Sequence, residues 1–142
     1  MTVERDGYPP VEMGLHAVQR EGPLVHVAIR GHTSLAEMQA IVRVYEAALD
    51  ESGYLLILLD MTDAGGLNTP ARKYVTDFVK AHTEEIAAAV YGASFSLRIT
   101  LELISRSVRA LSRRTIEVTF HASEVECRRY LAAQVPRLRA QR

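Results

Sequence analysis

Six consecutive apolar residues, Tyr54-Leu55-Leu56-Ile57-Leu58-Leu59, closed by Asp60, constrain this chain more than any other stretch. The run is apolar at both parities and has no polar face to offer solvent. It therefore reads as a strand covered on both sides in the middle of a sheet. The flanks supply the cover. Ser34 and Glu37 stand at capping-box spacing, and Leu35, Met38, Ile41, Val42, Tyr45, Ala48 and Leu49 then recur at helical intervals until Ser52-Gly53. Beyond the strand, Thr69 reads as an N-cap and Pro70 as the first residue of a helix running towards His82.

The remaining segments repeat this alternation. Leu15 to Arg20 and Leu24 to Arg30 flank Glu21-Gly22-Pro23, the chemistry of a hairpin turn. Val25, Val27 and Ile29 alternate with His26, Ala28 and Arg30, as in a strand covered on one side only. Ile86 to Tyr91 is a second strand that is apolar throughout. Leu97, Leu101, Ile104, Val108 and Leu111 form the stripe of a third helix. Ile116, Val118 and Phe120 alternate with polar residues as the last strand, and Ser123 with Glu126 caps a fourth helix. The expected order is β-β-α-β-α-β-α-β-α: an α/β fold with a mainly parallel sheet of about five strands and four helices. The half-polar strands, beginning near Leu24 and Ile116, belong nearer the edges, in simple sequential order.

At 142 residues, 48% apolar and 24% charged, the chain has the size and composition of one globular domain spanning 1–142. Residues 1–13 are expected as an irregular arm and residues 134–142 as a basic tail. A single cysteine, Cys127, excludes an intramolecular disulfide and reads as a small buried hydrophobe in a reducing, cytoplasmic setting. No run is long enough to span a bilayer. The five histidines lack metal-ligand spacing, and no nucleophile elbow or phosphate-cradling loop occurs, so neither cofactor nor metal is expected; Gly65-Gly66 reads as a turn. Net charge is zero but unevenly placed: residues 1–71 carry 4 − 10 = −6 and residues 72–142 carry 13 − 7 = +6. Arg106, Arg109, Arg113 and Arg114, with Arg128, Arg129, Arg137, Arg139 and Arg142, make the last third basic. Few aromatics interleave with them, which argues against nucleic-acid binding.

The element order, the strand ending Leu-Leu-Asp-Met-Thr and the segment Asn68-Thr69-Pro70-Ala71 resemble the STAS fold of bacterial anti-sigma factor antagonists, over roughly residues 15–133. In that family an Asp-Ser-Ser-Gly segment opens the helix and presents a serine to a kinase. Here Asp60 and Thr62 match the strand end, and Asn68 and Thr69 fall where the family has Asp and the phosphoacceptor; Pro70 and Ala71 stand in place of the following Ser-Gly. The resemblance implies a non-enzymatic regulatory module that docks a protein partner through a loop carrying Asp60, Thr62, Asp63, Asn68 and Thr69. Thr69 is then a candidate phosphoacceptor. Read from the residues alone, Thr69 is a helix cap, Asp60 bonds the turn and Asp63 is solvated.

A second expectation is a carrier or sensor of a small apolar ligand, resembling the related CRAL-TRIO lipid-binding domains. The apolar third helix, Phe78, Val79, Phe95 and Ala87-Ala88-Ala89 would line its site, which requires an interior pocket of at least ~300 Å³. A homodimer through the edge arm or an open sheet face completes the expectations.

Overall fold

Two strands, β1 (Ala17–Glu21) and β2 (Leu24–Thr33), pair antiparallel across Gly22-Pro23, with Glu21 opposite Leu24. The computed structural model describes residues 14–111 and 118–140, the side chains of 107–111 excepted. Residues 1–13, Arg113, Arg114, Ile116 and Arg142, and the side chains of Val108, Arg109 and Leu111, lie outside this description. Helix α1 (Leu35–Ser52) begins as its sequence dictates: Glu37 N donates to Ser34 Oγ at 3.2 Å, and Ser34 N donates to Glu37 Oε1 at 2.9 Å. Gly53 ends it in the left-handed conformation, and its N–H bonds the Leu49 carbonyl.

Strand β3 (Leu55–Leu67) follows, then helix α2 (Thr69–Ala81), a single 3-10 turn (Thr83–Glu85), β4 (Ile86–Tyr91), α3 (Phe95–Leu111), β5 (Val118–His121) and α4 (Glu124–Arg139). The five strands lie in sequential order β1-β2-β3-β4-β5, with β2 to β5 parallel and β3 in the centre. This is the expected architecture. Because each crossover moves one strand in the same direction, its constant hand places the connecting helices on one face. Accordingly α1, α2 and α3 share a core with Val25, Val27, Ile57, Ala88 and Val90. Helix α4 covers the other face, where Cys127, Leu131 and Leu138 meet Leu24, Leu56, Leu58 and Ala89.

Four expectations need correction. First, β3 does not stop at Leu59: it runs on to Leu67, because β2 also outlasts its apolar segment and pairs with it, Arg30 opposite Asp63 and Thr33 opposite Leu67. Two register shifts on the way each insert an extra residue into β3, bending the pair. The expected loop over Asp60–Thr69 is therefore mostly a two-stranded ribbon. Gly65-Gly66 is not a turn but part of this strand. A Cβ at Gly65 would stand 2.9 Å from the Gly31 carbonyl carbon, so only glycine lets the backbones meet there.

Second, Asn68, not Thr69, caps α2: its Oδ1 accepts from Ala71 N at 2.9 Å, leaving Thr69 as the first helical residue and Pro70 as the second. Third, residues 134–139 are not a tail. Leu138, almost fully buried against the sheet, holds the last turns of α4 in place despite Pro136. Fourth, the polar face of β2 is not open, because Leu24 is buried beneath α4 and His26 is half-buried beside its first turn.

Candidate functional site

The residues assigned to one docking loop are distributed by the ribbon. An extended strand rises ~3.3 Å per residue, so Asp60 and Leu67 sit on the order of 20 Å apart. Asp60 shares its parity with Leu56 and Leu58 and so faces α4; its Oδ1 accepts from Thr62 N at 3.0 Å, the turn-like bond expected of it. Thr62 and Asp63 are exposed on the ribbon, and Asp63 is solvated as expected. Asn68 and Thr69 are exposed at the far end, where Asn68 N donates to Thr33 O at 3.5 Å and His32 Nδ1 lies 3.2 Å from Gly66 O. These contacts fix the entry into α2.

Thr69 lines an open groove of about 440 Å³ between α2 and α3. Arg72, Lys73 and Lys80 border it, and Leu103 and Ile104 form its apolar side. Lys73 Nζ reaches Asp77 Oδ2 at 2.8 Å one turn on, and this bond holds the Asp77 carboxyl below its ordinary range. Because the cap is made by Asn68, the Thr69 hydroxyl has no capping duty. It stands at the positive end of the α2 dipole with Arg72 and Lys73 three and four residues on, a setting suited to an anion.

On the α4 face Asp60 joins a polar cluster that sequence reasoning missed. Tyr91 Oη donates to Glu124 Oε1 at 3.5 Å and lies 3.4 Å from His26 Nε2. Arg128 donates to Glu124 at 2.8 Å and to Glu21 at 3.0 Å, tying α4 to the β1 end of the sheet. Burial pushes the Tyr91 phenol up, aided by the Asp60 and Glu124 charges, and burial pushes the His26 imidazole down. Arg128 holds Glu124 below the usual carboxylate range. The polar parity of His26 was the only signal in the sequence; its partners lie 65 and more residues away.

A buried histidine was also passed over. His16 is fully buried, accepts a bond at Nδ1 from Arg30 N at 3.0 Å, and sets Nε2 3.3 Å from Thr33 Oγ1 and 3.5 Å from Glu37 Oε2. Burial pushes it below its ordinary value despite Glu37, so it joins β1, β2 and α1 as a neutral ring. Among the described residues no three His, Cys, Asp or Glu side chains converge as metal ligands, and no helix is long and apolar enough to cross a membrane. Cys127 is buried, its thiol pushed up to about 11, so it packs as a small hydrophobe.

The apolar-ligand expectation meets a tighter interior. Between the sheet, α2 and α3 lies an apolar cavity of about 90 Å³, bordered by Ile57, Met61, Ala88, Leu101 and Ser105. It is well short of the ~300 Å³ at which ligand pockets begin. Ala87 and Ala89 pack against α4, and Phe95, expected to line the pocket, is 80% exposed.

No family model and no curated protein matches the chain. A solved structure does: a protein of the DUF3478 family from Shewanella loihica PV-4, described as uncharacterized and as having a SpoIIAA-like fold. It is 18% identical, with a TM-score of 0.58, over 85% of this chain and 98% of that one. That likeness shows the fold. The mostly parallel five-stranded sheet with its four helices thus has a SpoIIAA-like fold, the fold of STAS domains.

Proposed function

We propose that the chain is a non-enzymatic, cytoplasmic STAS-like interaction module, docking a protein partner at the end of the molecule formed by the β2–β3 ribbon and the start of α2. The observation that carries this reading is Thr69. Its hydroxyl is exposed at the first position of α2 while Asn68 makes the cap, so it is available for phosphate transfer without loss of the helix end. A phosphate there would meet the positive end of the helix dipole and the Arg72 side chain, and would add about two negative charges to the docking end. Thr62, Asp63 and Asn68 supply the exposed polar contacts around it. Self-association through the edge strand β1 belongs to the same reading and is read by light scattering.

The test places a photo-crosslinking residue at Asp63 or Thr69 in cells that make the protein, with exposed Glu46 on α1 as the control position. One protein adduct shared by positions 63 and 69 and missing at 46 supports docking at this end. Identical adduct patterns at all three positions would sink it. An intact mass raised by ~80 Da, mapped to Thr69, supports the phosphate switch.

A further inference from the structure

Helix α3 carries a stripe that its own core does not use. Leu97, Leu101 and Ile104 face the sheet, yet Phe95, Ile99 and Leu103 remain 80%, 43% and 47% exposed. They are spaced four residues apart and therefore line one side of the helix over two turns, ~12 Å. Leu103 is also an apolar wall of the groove against α2. The stripe and the groove are thus continuous.

The charges beside this surface are of mainly one sign. Among the residues lining the groove, α2 contributes Arg72, Lys73 and Lys80 against Asp77, 3 − 1 = +2. Arg98 is not part of this rim, because its guanidinium lies over the Phe120 ring of β5, 4.6 Å from the centroid. A partner must therefore present apolar side chains four residues apart, to follow the stripe, and acidic groups towards α2.

We propose that the α2–α3 groove and the Phe95-Ile99-Leu103 stripe receive an acidic amphipathic helix of a partner protein. The groove favours a helix over a bilayer: it is an open slot between two helices, joined to the stripe at Leu103, into which a row of side chains fits and a flat lipid surface does not. Apolar anchors would set the affinity, and the basic rim would set orientation and exclude basic helices. The inference rests on the docking reading above and gives its switch a mechanism, since a phosphate on Thr69 would place negative charge in the slot that the acidic helix needs.

The probe is a fluorescein-labelled synthetic peptide of about five helical turns, with leucine along one face and glutamate elsewhere, titrated into the full chain by anisotropy. A matched peptide with lysine for glutamate and vesicles containing phosphatidylserine run alongside. The acidic peptide is expected to bind, with amide shifts confined to α2 and α3, and to weaken about tenfold in Leu103→Glu and in Arg72→Glu. Arg129→Glu, exposed on α4, is the charge-matched control and should bind as the parent does. Equal binding of the lysine peptide, or indifference to Leu103→Glu in a variant whose urea midpoint is unchanged, would overturn the proposal. So would capture by vesicles without peptide binding, which would make the surface lipid-facing. Crosslinks at Asp63 and Thr69 that persist while the peptide fails would leave the docking reading standing and this inference lost.

Discussion

The two faces of the sheet are built from the same strands yet held in different ways. On one face three helices bury a broad apolar layer: α1 alone contributes Met38, Ile41, Val42, Tyr45, Ala48 and Leu49. On the other, α4 is the one covering helix among the described residues, with Cys127, Leu131 and Leu138 as its fully buried contacts and a belt of polar bonds through Glu124 and Arg128 at its start. A helix with neighbours distributes its dependence over many residues. A lone helix concentrates it in few, so α4 is the element most able to loosen as a unit.

Leu131→Ala should show this most strongly. Removing a fully buried leucine costs ~2–5 kcal/mol, and amide exchange should rise in α4 ahead of the sheet. Ile41→Ala on the opposite face should cost a comparable amount with no single helix leading. If exchange in Leu131→Ala rises evenly through β3 and β4, the faces are one cooperative unit and the contrast fails.

The histidines sharpen it next. His16 and His26 both sit below their ordinary value through burial, so the fold favours their neutral forms. Their contribution is complete above the unfolded value of ~6.5 and is lost as pH falls below it towards the folded values. The shares should be unequal. Protonated His16 would point an Nδ1–H at the Arg30 N–H that it now accepts from, whereas the Tyr91 hydroxyl can accept from a protonated His26. Urea midpoints between about pH 7.5 and 5.5 should therefore flatten more in His16→Gln than in His26→Gln. The reverse order would mean that acid acts first on the α4 face.

Smaller effects separate cap from belt. Asn68→Ala should cost ~1 kcal/mol and Thr69→Ala almost nothing, a difference readable in thermal melts. Equal losses would return the cap to Thr69. On the α4 side Arg128→Ala, about one-third exposed, should cost at most ~1 kcal/mol at low ionic strength and less in salt. A larger loss would show that the polar belt, and not Leu131, holds α4.

Much of this frame is legible in local pattern. The capping box at Ser34, the Gly53 stop, the boundaries of β4 and the Ser123 cap are set by interactions within a few residues, so the chain spells them out. The helical stripe also named Leu97, Leu101 and Ile104 as core. The docking end was harder to read. Asn68 and Thr69 are both good caps by propensity, and the choice between them depends on where the ribbon delivers the chain, which β2 decides. Asp60 seemed to share a loop with Thr69 because nothing local says that β3 continues.

The sequence by itself determined the element order, the central place of β3 and the parallel sheet, because periodicity and end chemistry act over one or two turns. Tertiary structure decided what lies side by side. Pairing between Arg30 and Asp63 turned a loop into a strand, packing of α2 on α3 made the basic slot, and α4 brought Glu124 and Arg128 to His26 and Tyr91. Each depends on free energy gained between residues far apart in the chain, which no window of neighbouring residues contains.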